Sequence, residues 1–412
     1  MAKIPKVILL VESSRASGRA LLTGIASYAN HYGPWSFYWE PGGLEKVWPV
    51  LRTMDASGII LRDVDKVEEA LAYGIPTVFI GHYQTEIPGL VNVVTDSEAV
   101  GRTGAEHLMQ CGFKHFAFCG YVKSPIEKAP WSETRREAFS ESIHSAGFAP
   151  PAHYELAMDG QNWSDERLAL ARWLESLPKP VGLMACNDDC GGQVMEACKL
   201  AGLPVPDAVG VIGADNDELV CNITGPPMSS IGIHFERAGY EAAQALHGMM
   251  TGKPLVSRRI TASISHVVAR RSTDFVIAEE VHVARALRHI RDHARDPITV
   301  TDVARAAGLS RRALEKRFRH VLGRSILEEV RRVRTDQIAR LLLETDLPVA
   351  EIAGLLGFED IQHIARYFRA GKRMSPVAYR KIHSVRRLPS TRSQNGDFIS
   401  QSGVVRSKRR RL

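Results

Sequence analysis

Carboxylates, amides and arginines gather in this sequence just after apolar runs that read as buried strands. Asn187, Asp188 and Asp189 follow Val181–Cys186, while Gly213, Asp215 and Asn216 follow Val209–Ile212. Glu12, Ser13 and Ser14 follow Val7–Val11, Gly81 and His82 follow Thr77–Ile80, and Arg135 stands four residues after Trp131. Carboxylates and amides fix the direction of hydroxyl groups, arginine adds donors, and an aromatic ring covers an apolar ring face. That is chemistry for a neutral, hydroxyl-rich small molecule such as a sugar. Plainer readings stand beside it. Asp215 could be a loop cap, Trp131 ordinary packing, Ser13 a helix cap and Arg19 a surface charge, and Asp189 could exchange roles with Asp188.

A second group is cationic and repeated. The segment Val300-Thr-Asp-Val-Ala-Arg-Ala-Ala-Gly-Leu can be laid over Val349-Ala-Glu-Ile-Ala-Gly-Leu-Leu-Gly-Phe. Ala304/Ala353 and Gly308/Gly357 are offset by 49 positions and Phe318/Phe368 by 50, so the second copy holds one extra residue. Each copy has an alanine where two helices cross closely and a glycine that lets the backbone turn, the pattern of a helix-turn-helix. Thr299 with Asp302 suits a cap on the first helix. The helices that follow offer Arg311, Arg312, Glu315, Lys316 and Arg319 in copy one, and Ile361, Gln362, His363, Arg366 and Arg369 in copy two. Such side chains reach base edges and phosphates from a helix in the major groove; a solvated cationic face is the plainer alternative.

The elements that must position these groups follow from periodicity. Strands at 7–11, 35–39, 58–61, 77–80 and 91–95 alternate with helices at 17–28, 44–54 and 67–73, and the rhythm resumes after Asp96. Helices at 99–110, 134–146, 165–177 and 193–201 are interleaved with strands at 115–119, 181–186 and 209–212. Such alternation predicts parallel sheets covered on both faces, in two successive units with a cleft between them. Past Thr273 strand signals stop, and residues 281–383 read as helical throughout. The expected organisation is a bilobed α/β sensor over 1–275, an all-α module with two helix-turn-helix units over 276–383, and a basic disordered tail over 384–412.

Charge divides at the same place. Residues 1–280 carry 24 Lys+Arg against 33 Asp+Glu, and residues 281–412 carry 29 against 13. A basic module joined to an acidic body expects a polyanion as its partner. Apolar runs fall far short of the roughly 18 residues that span a bilayer. No signal-peptide pattern opens the chain, so a cytoplasmic location is expected. The six cysteines lack Cys-x-x-Cys spacing and read as reduced structural thiols.

Residues from about 285 to 383 resemble the AraC/XylS family of transcription activators, including the closing Phe368-Arg-…-Ser375-Pro-x-x-Tyr379-Arg380 element. The resemblance implies two units held by a linking helix near Ile326–Leu343, entering successive major grooves on one face of DNA. It assigns base contacts to Arg312, Glu315 and Lys316, and to Ile361, Gln362, His363 and Arg366. Arg373 departs from the family, which often has glycine there. The body resembles the LacI/periplasmic-binding-protein fold in Asn92-Val-Val-Thr-Asp96 with Gly101, His107-Leu108 and Gly112. Arg135-Arg-Glu-Ala-Phe139 and Val211-Ile-Gly-Ala-Asp215-Asn216 extend that match. This second resemblance implies hydroxyl contacts from Arg135, Asp188 and Asp215.

Together they imply a homodimeric activator of sugar (xylose-like) catabolism genes that binds a double-stranded DNA operator and recruits RNA polymerase when a small sugar closes the lobes. A ligand-relieved repressor and a non-sensing DNA binder are the alternatives. Enzyme readings have little to stand on. No Gly-x-Gly-x-x-Gly follows the first strand, and no phosphate-binding Gly-x-x-x-x-Gly-Lys loop, Gly-x-Ser-x-Gly elbow or metal-ligand spacing occurs. No cofactor and no metal are expected.

Overall fold

The computed structural model describes residues 4–40, 55–62, 71–72, 74–81, 86–121, 129–156, 163–255, 257–275 and 281–383. The expected helix at 44–54, most of that at 67–73, His82 and the basic tail from 384 lie outside the described residues.

The first lobe is a six-stranded parallel sheet in the order β11-β5-β4-β3-β1-β2. Its strands are β1 (Lys6–Leu10), β2 (Ser36–Trp39), β3 (Gly58–Arg62), β4 (Thr77–Ile80), β5 (Val91–Thr95) and β11 (Arg259–Ala262). The second sheet, in the order β12-β10-β9-β8-β6-β7, holds β6 (His115–Tyr121), β7 (Ala152–Leu156), β8 (Val181–Ala185), β9 (Val209–Asp215), β10 (Ser229–Ile233) and β12 (Ile264–Val268). Only β12 runs antiparallel. The central strands β1, β3, β4 and β8 are buried on both faces, which is why they read as unbroken apolar runs.

The lobes are not successive, as the alternation had suggested. Helix α1 (Ala16–Tyr32) packs on the first sheet, but the chain leaves after β5 into α2 (Ser97–Cys111), α3 (Pro130–Ser145), α4 (Trp163–Ser176), α5 (Asp188–Leu200) and α6 (Glu218–Ile223) of the second lobe. After β10 it returns through α7 (Phe235–Met250) and β11, then crosses a third time into β12. The segment 229–268 thus belongs to both lobes, and its elements carried no sequence expectation. Helices α1 and α7 cross at Gly24 and Gly239, where a Cβ on either would meet the other helix's backbone.

Two helix starts also differ from expectation. Helix α3 begins at Pro130 rather than Thr134, because proline is favoured in a first turn whose N–H groups lack partners anyway. Trp131 and Arg135 therefore lie one turn apart on the same helix. Helix α5 begins at Asp188 rather than Gln193, since Asn187 caps it by accepting from Cys190 N at 2.9 Å. Asp188 consequently sits in a helical first turn, not on a free strand end.

The helical module is a tandem repeat around one long helix. α8 (Val281–Asp292) leads into α9 (Val300–Ala306), α10 (Arg311–Leu322) and the linking helix α11 (Ile326–Glu344), then α12 (Val349–Leu355), α13 (Ile361–Lys372) and α14 (Pro376–His383). The capping box at Thr299/Asp302 is present, and a second one at Ser325/Glu328 starts α11. Val303, Ala304, Leu314 and Phe318 form one core, and Ile338, Ala353, Ile364 and Phe368 the other.

Gly308 and Gly357 both turn with positive φ, at 71° and 66°. Helices α10 and α13 are capped by Ser310 and Asp360, fifty positions apart, which puts the extra residue in the second turn, within Phe358-Glu359. Arg334 of α11 pins the halves together. Its guanidinium donates to Asp296 O beside the first unit and to Leu356 O of the second at 2.6 Å, and lies 4.8 Å over the Phe358 ring.

Arg373 ends α13 with φ 60°, where its counterpart Gly323 ends α10 with φ 68°. The turn is kept; an L side chain simply occupies a conformation that crowds its Cβ. Arg373→Gly should therefore stabilise the module by about 1 kcal/mol, read as a rise in its unfolding midpoint in denaturant. A decrease would show that the Arg373 side chain supports the turn.

Candidate effector cleft and DNA-binding face

A cleft of ≈ 520 Å³ opens between the lobes, within the usual size of a small-molecule site. The first lobe contributes Arg62 from the end of β3, Gly81 after β4, Thr95 from the end of β5 and Asp96 after it. Opposite stand Trp131, Thr134 and Arg135 of α3, Asn187 before α5, and Asp215 at the end of β9, while Phe235 closes the hinge side.

Arg135 is the centre of this wall. Its side chain is 3% exposed, donates to Cys186 O, lies 4.9 Å over the Trp131 ring and approaches Asp215 Oδ1 at 3.7 Å. That separation is too long for a hydrogen bond. Arg135 Nε and Asp215 Oδ1 are both buried with no hydrogen-bond partner among the described residues. Burial raises the Asp215 pKa, while Arg135 and Arg62 pull it back down. Asp215 and Asn216 have φ of 101° and 53°, a strained backbone of the kind that tends to collect at functional sites.

The other expected ligand residues are held elsewhere. Asp188 is buried with both oxygens engaged, accepting from Ser230 Oγ at 2.6 Å and Asp217 N at 2.7 Å. Burial and the neighbouring Asp215 push its pKa well up. It supports the loop that carries Asp215 and does not line the cleft. Asp189 does not replace it, because it pairs with Arg15 at 2.9 Å. Asn216 turns away, donating its N–H to Ser230 Oγ and accepting from Arg270 Nη2 at 2.8 Å. Ser13 is half-buried outside the cleft, with its carbonyl accepting from Arg19.

Arg62, Asp96 and Phe235 were not singled out from sequence, although Arg62 and Asp96 also stand at strand ends. Asp217 was missed as well, and it joins the lobes. Helix α1 has no side-chain cap of its own and no acid in its first turn. Asp217, from the other lobe, accepts from Ala16 N at 2.9 Å and pairs with Arg19 at 3.2 Å. A carboxylate at this position satisfies an orphan N–H and complements the positive end of the helix. Asp217 also caps α6 through Leu219 N, so locally it reads as no more than a cap.

Helices α10 and α13 bury corresponding residues and expose different ones. Leu314 and Phe318 of α10, like Ile364 and Phe368 of α13, point into the cores. Arg311, Arg312, Glu315, Lys316 and Arg319 together line one open hollow on α10, with Glu315 and Arg319 paired at 3.3 Å. On α13, Gln362, Arg366 and Arg369 are exposed, and Ile361 is 51% exposed at the helix start. An isoleucine held out in this way suits apolar contact with a thymine methyl. His363 is half-buried, its ring edge-on to Phe358 at 5.3 Å.

Among the described residues no group of three or more His, Cys, Asp or Glu could hold a metal ion, and no helix is long and apolar enough to cross a membrane. All six cysteines are unpaired, and five are buried.

Two family models match parts of the chain. A family model for a periplasmic binding protein-like domain matches residues 105–273, and one for a helix-turn-helix domain matches 303–382. The chain is 28% identical over 385 residues to the xylose operon regulatory protein of Escherichia coli K12, covering 92% of this chain and 97% of that one. It is equally 28% identical to the protein of that name from Haemophilus influenzae, over 91% and 98% of the two chains. A solved structure of a xylose-binding transcription activator matches with a TM-score of 0.58 and 27% identity, covering 93% of this chain and 99% of that one.

Proposed function

We propose, from the premise that this chain is a transcription regulator joining a periplasmic-binding-protein-like sensor to an AraC-type helix-turn-helix domain and homologous to the xylose operon regulatory proteins, that its cleft binds an aldopentose such as xylose. It is a regulator and not an enzyme. One observation carries the sugar reading: Arg135 Nε and Asp215 Oδ1 are both buried without hydrogen-bond partners among the described residues, and the two side chains approach to 3.7 Å. A hydroxyl can accept from the first and donate to the second, and Trp131 offers an apolar face nearby. A neutral polyol satisfies both atoms at once; an anion would satisfy only the arginine.

The proposed ligand residues are Arg135, Asp215 and Trp131 in contact, with Asp188 and Asn216 positioning the Asp215 loop and Ser13 outside it. Binding closes the lobes, and Asp217 at the start of α1 holds them closed. Only a ligand that prefers the closed arrangement shifts the population. We place the sensor at 1–275 and the DNA-binding domain at 276–383. The protein acts in the cytoplasm as a homodimer, its paired modules on an operator, activating transcription through RNA polymerase.

Thermal unfolding of the full chain against a monosaccharide panel tests the cleft. Xylose at about 100 times its Kd should add about 2.7 kcal/mol to the sensor, an upward shift of several degrees. Equal shifts for every sugar, or none, would refute the assignment. On the DNA side, Arg312→Ala and Arg366→Ala should each cost about 1–3 kcal/mol of specific operator affinity, and the xylose shift should persist. Specific affinity unchanged in both would remove α10 and α13 as readers.

A further inference from the structure

A second cavity, ≈ 500 Å³, lies at the seam between the second lobe and the helical module and shares no lining residue with the cleft. Its sensor wall comes from α2, β12 and the segment after it, and its other wall from α8, α11 and the end of α13. The seam is fastened at its margins by an Arg291–Asp274 ion pair and by Arg324 Nη2 donating to Gln110 O at 3.3 Å.

Charge in this cavity is unbalanced. Six arginine and lysine side chains line it against four carboxylates. Two of the carboxylates, Glu106 and Asp292, are exposed at the rim. The two inner ones are already engaged, Asp274 by Arg291 and Asp336 by Lys372 at 2.8 Å and Arg332 at 3.5 Å. Beneath them the fully buried Glu329 clasps Arg332 and Arg324; burial alone would raise its pKa, yet the two guanidiniums hold it down at about 2. The inner acids are committed to keeping cations in place, and by formal charge the lining carries two more cations than carboxylates.

His266 of β12 lines the same space. Both of its ring nitrogens are buried and neither has a hydrogen-bond partner among the described residues. Burial lowers its pKa to about 4, Asp336 opposing this while Lys372, Arg340 and Arg270 reinforce it. A neutral imidazole left without partners is costly. An acceptor oxygen brought to its N–H would remove the donor's share of that cost.

We propose that this seam is a second effector site, which takes a small phosphate monoester between Arg270, Arg340, Lys372 and His266. A dianion matches the surplus, and phosphate oxygens accept from guanidinium, ammonium and imidazole alike. The cavity is large enough for a sugar bearing the group. Its ligand would bridge both domains, and Arg270 reaches from it to Asn216, next to Asp215 of the cleft. Occupancy there would bear on how the sensor holds the module.

The test is calorimetric titration of the full-length protein with inorganic phosphate, then with ribose 5-phosphate, at constant ionic strength. One site per chain is expected, with a Kd near or below about 1 mM for the monoester. Arg340→Gln and His266→Phe should each weaken it about tenfold or more and keep the xylose-dependent thermal shift, which shows that the variants fold. The Arg312→Ala/Arg366→Ala double variant should keep the phosphate site. Absence of saturable binding overturns the proposal. So does binding lost in the double variant but kept in Arg340→Gln, which would put the anion on the DNA-binding face. Neither outcome touches the sugar reading of the cleft, whose own test is the monosaccharide panel.

Discussion

Arg135→Ala should reduce sugar affinity by at least about 100-fold, about 3 kcal/mol, and abolish sugar-dependent DNA binding. The effect is large because one guanidinium has several tasks in a dry wall. It holds Cys186 O, covers Trp131, stands beside Asp215 and keeps a buried Nε with no hydrogen-bond partner among the described residues. Removal leaves the Asp215 carboxyl buried beside an empty space, with its nearest cation gone and its pKa raised further. The sugar then loses a donor and faces an acid whose protonation competes with accepting. Calorimetry with xylose on the full chain reads the loss, while DNA binding without sugar should be unchanged. Asp215→Asn should fall between wild type and Arg135→Ala, since an amide oxygen still accepts. Full sugar affinity in Arg135→Ala would mean that the ligand sits elsewhere.

Arg334→Ala should cost the helical module about 2–4 kcal/mol and most of its operator affinity, although Arg334 touches no DNA. The side chain is buried, and its loss strands Asp296 O and Leu356 O without their donor and leaves the Phe358 face uncovered. Those two carbonyls belong to different halves of the module. The expected signature is an earlier unfolding transition for the module with the xylose shift of the sensor preserved. Arg334→Lys should recover little, because one ammonium cannot span both carbonyls as a planar fork does. An unaltered module transition in Arg334→Ala would show that the two cores alone fix the spacing of the units.

Much of the helical module was legible because its constraints are local. Gly308 and Gly357 must turn, Ser310 and Asp360 must cap, and Leu314 and Phe318 recur as Ile364 and Phe368; each shows at short range. Arg373 marked a departure whose outcome, the same left-handed turn carried by a poorer residue, needed coordinates. In the sensor, Arg135, Asp215 and Trp131 line the cleft because strand ends and helix starts converge there in this kind of fold. Asp188 was misplaced for a local reason. The apolar spacing from Gln193 onward masked a helix that Asn187 had already started. Asp217 and Phe235 were missed for a global one. The chain crosses between lobes three times, so the partner of the α1 N-terminus lies about 200 residues away in sequence, and no window along the chain can see it.

The tandem arrangement on α11 has an outcome for the DNA as well. The two units follow one another along the chain, and the faces that they expose differ. One offers Arg312, Glu315 and Lys316; the other offers Ile361, Gln362 and Arg366, set off by the extra residue in its turn. A palindrome would look the same to such a chain only if both faces were alike. A single module must therefore have an arrow on the double helix, with a left and a right.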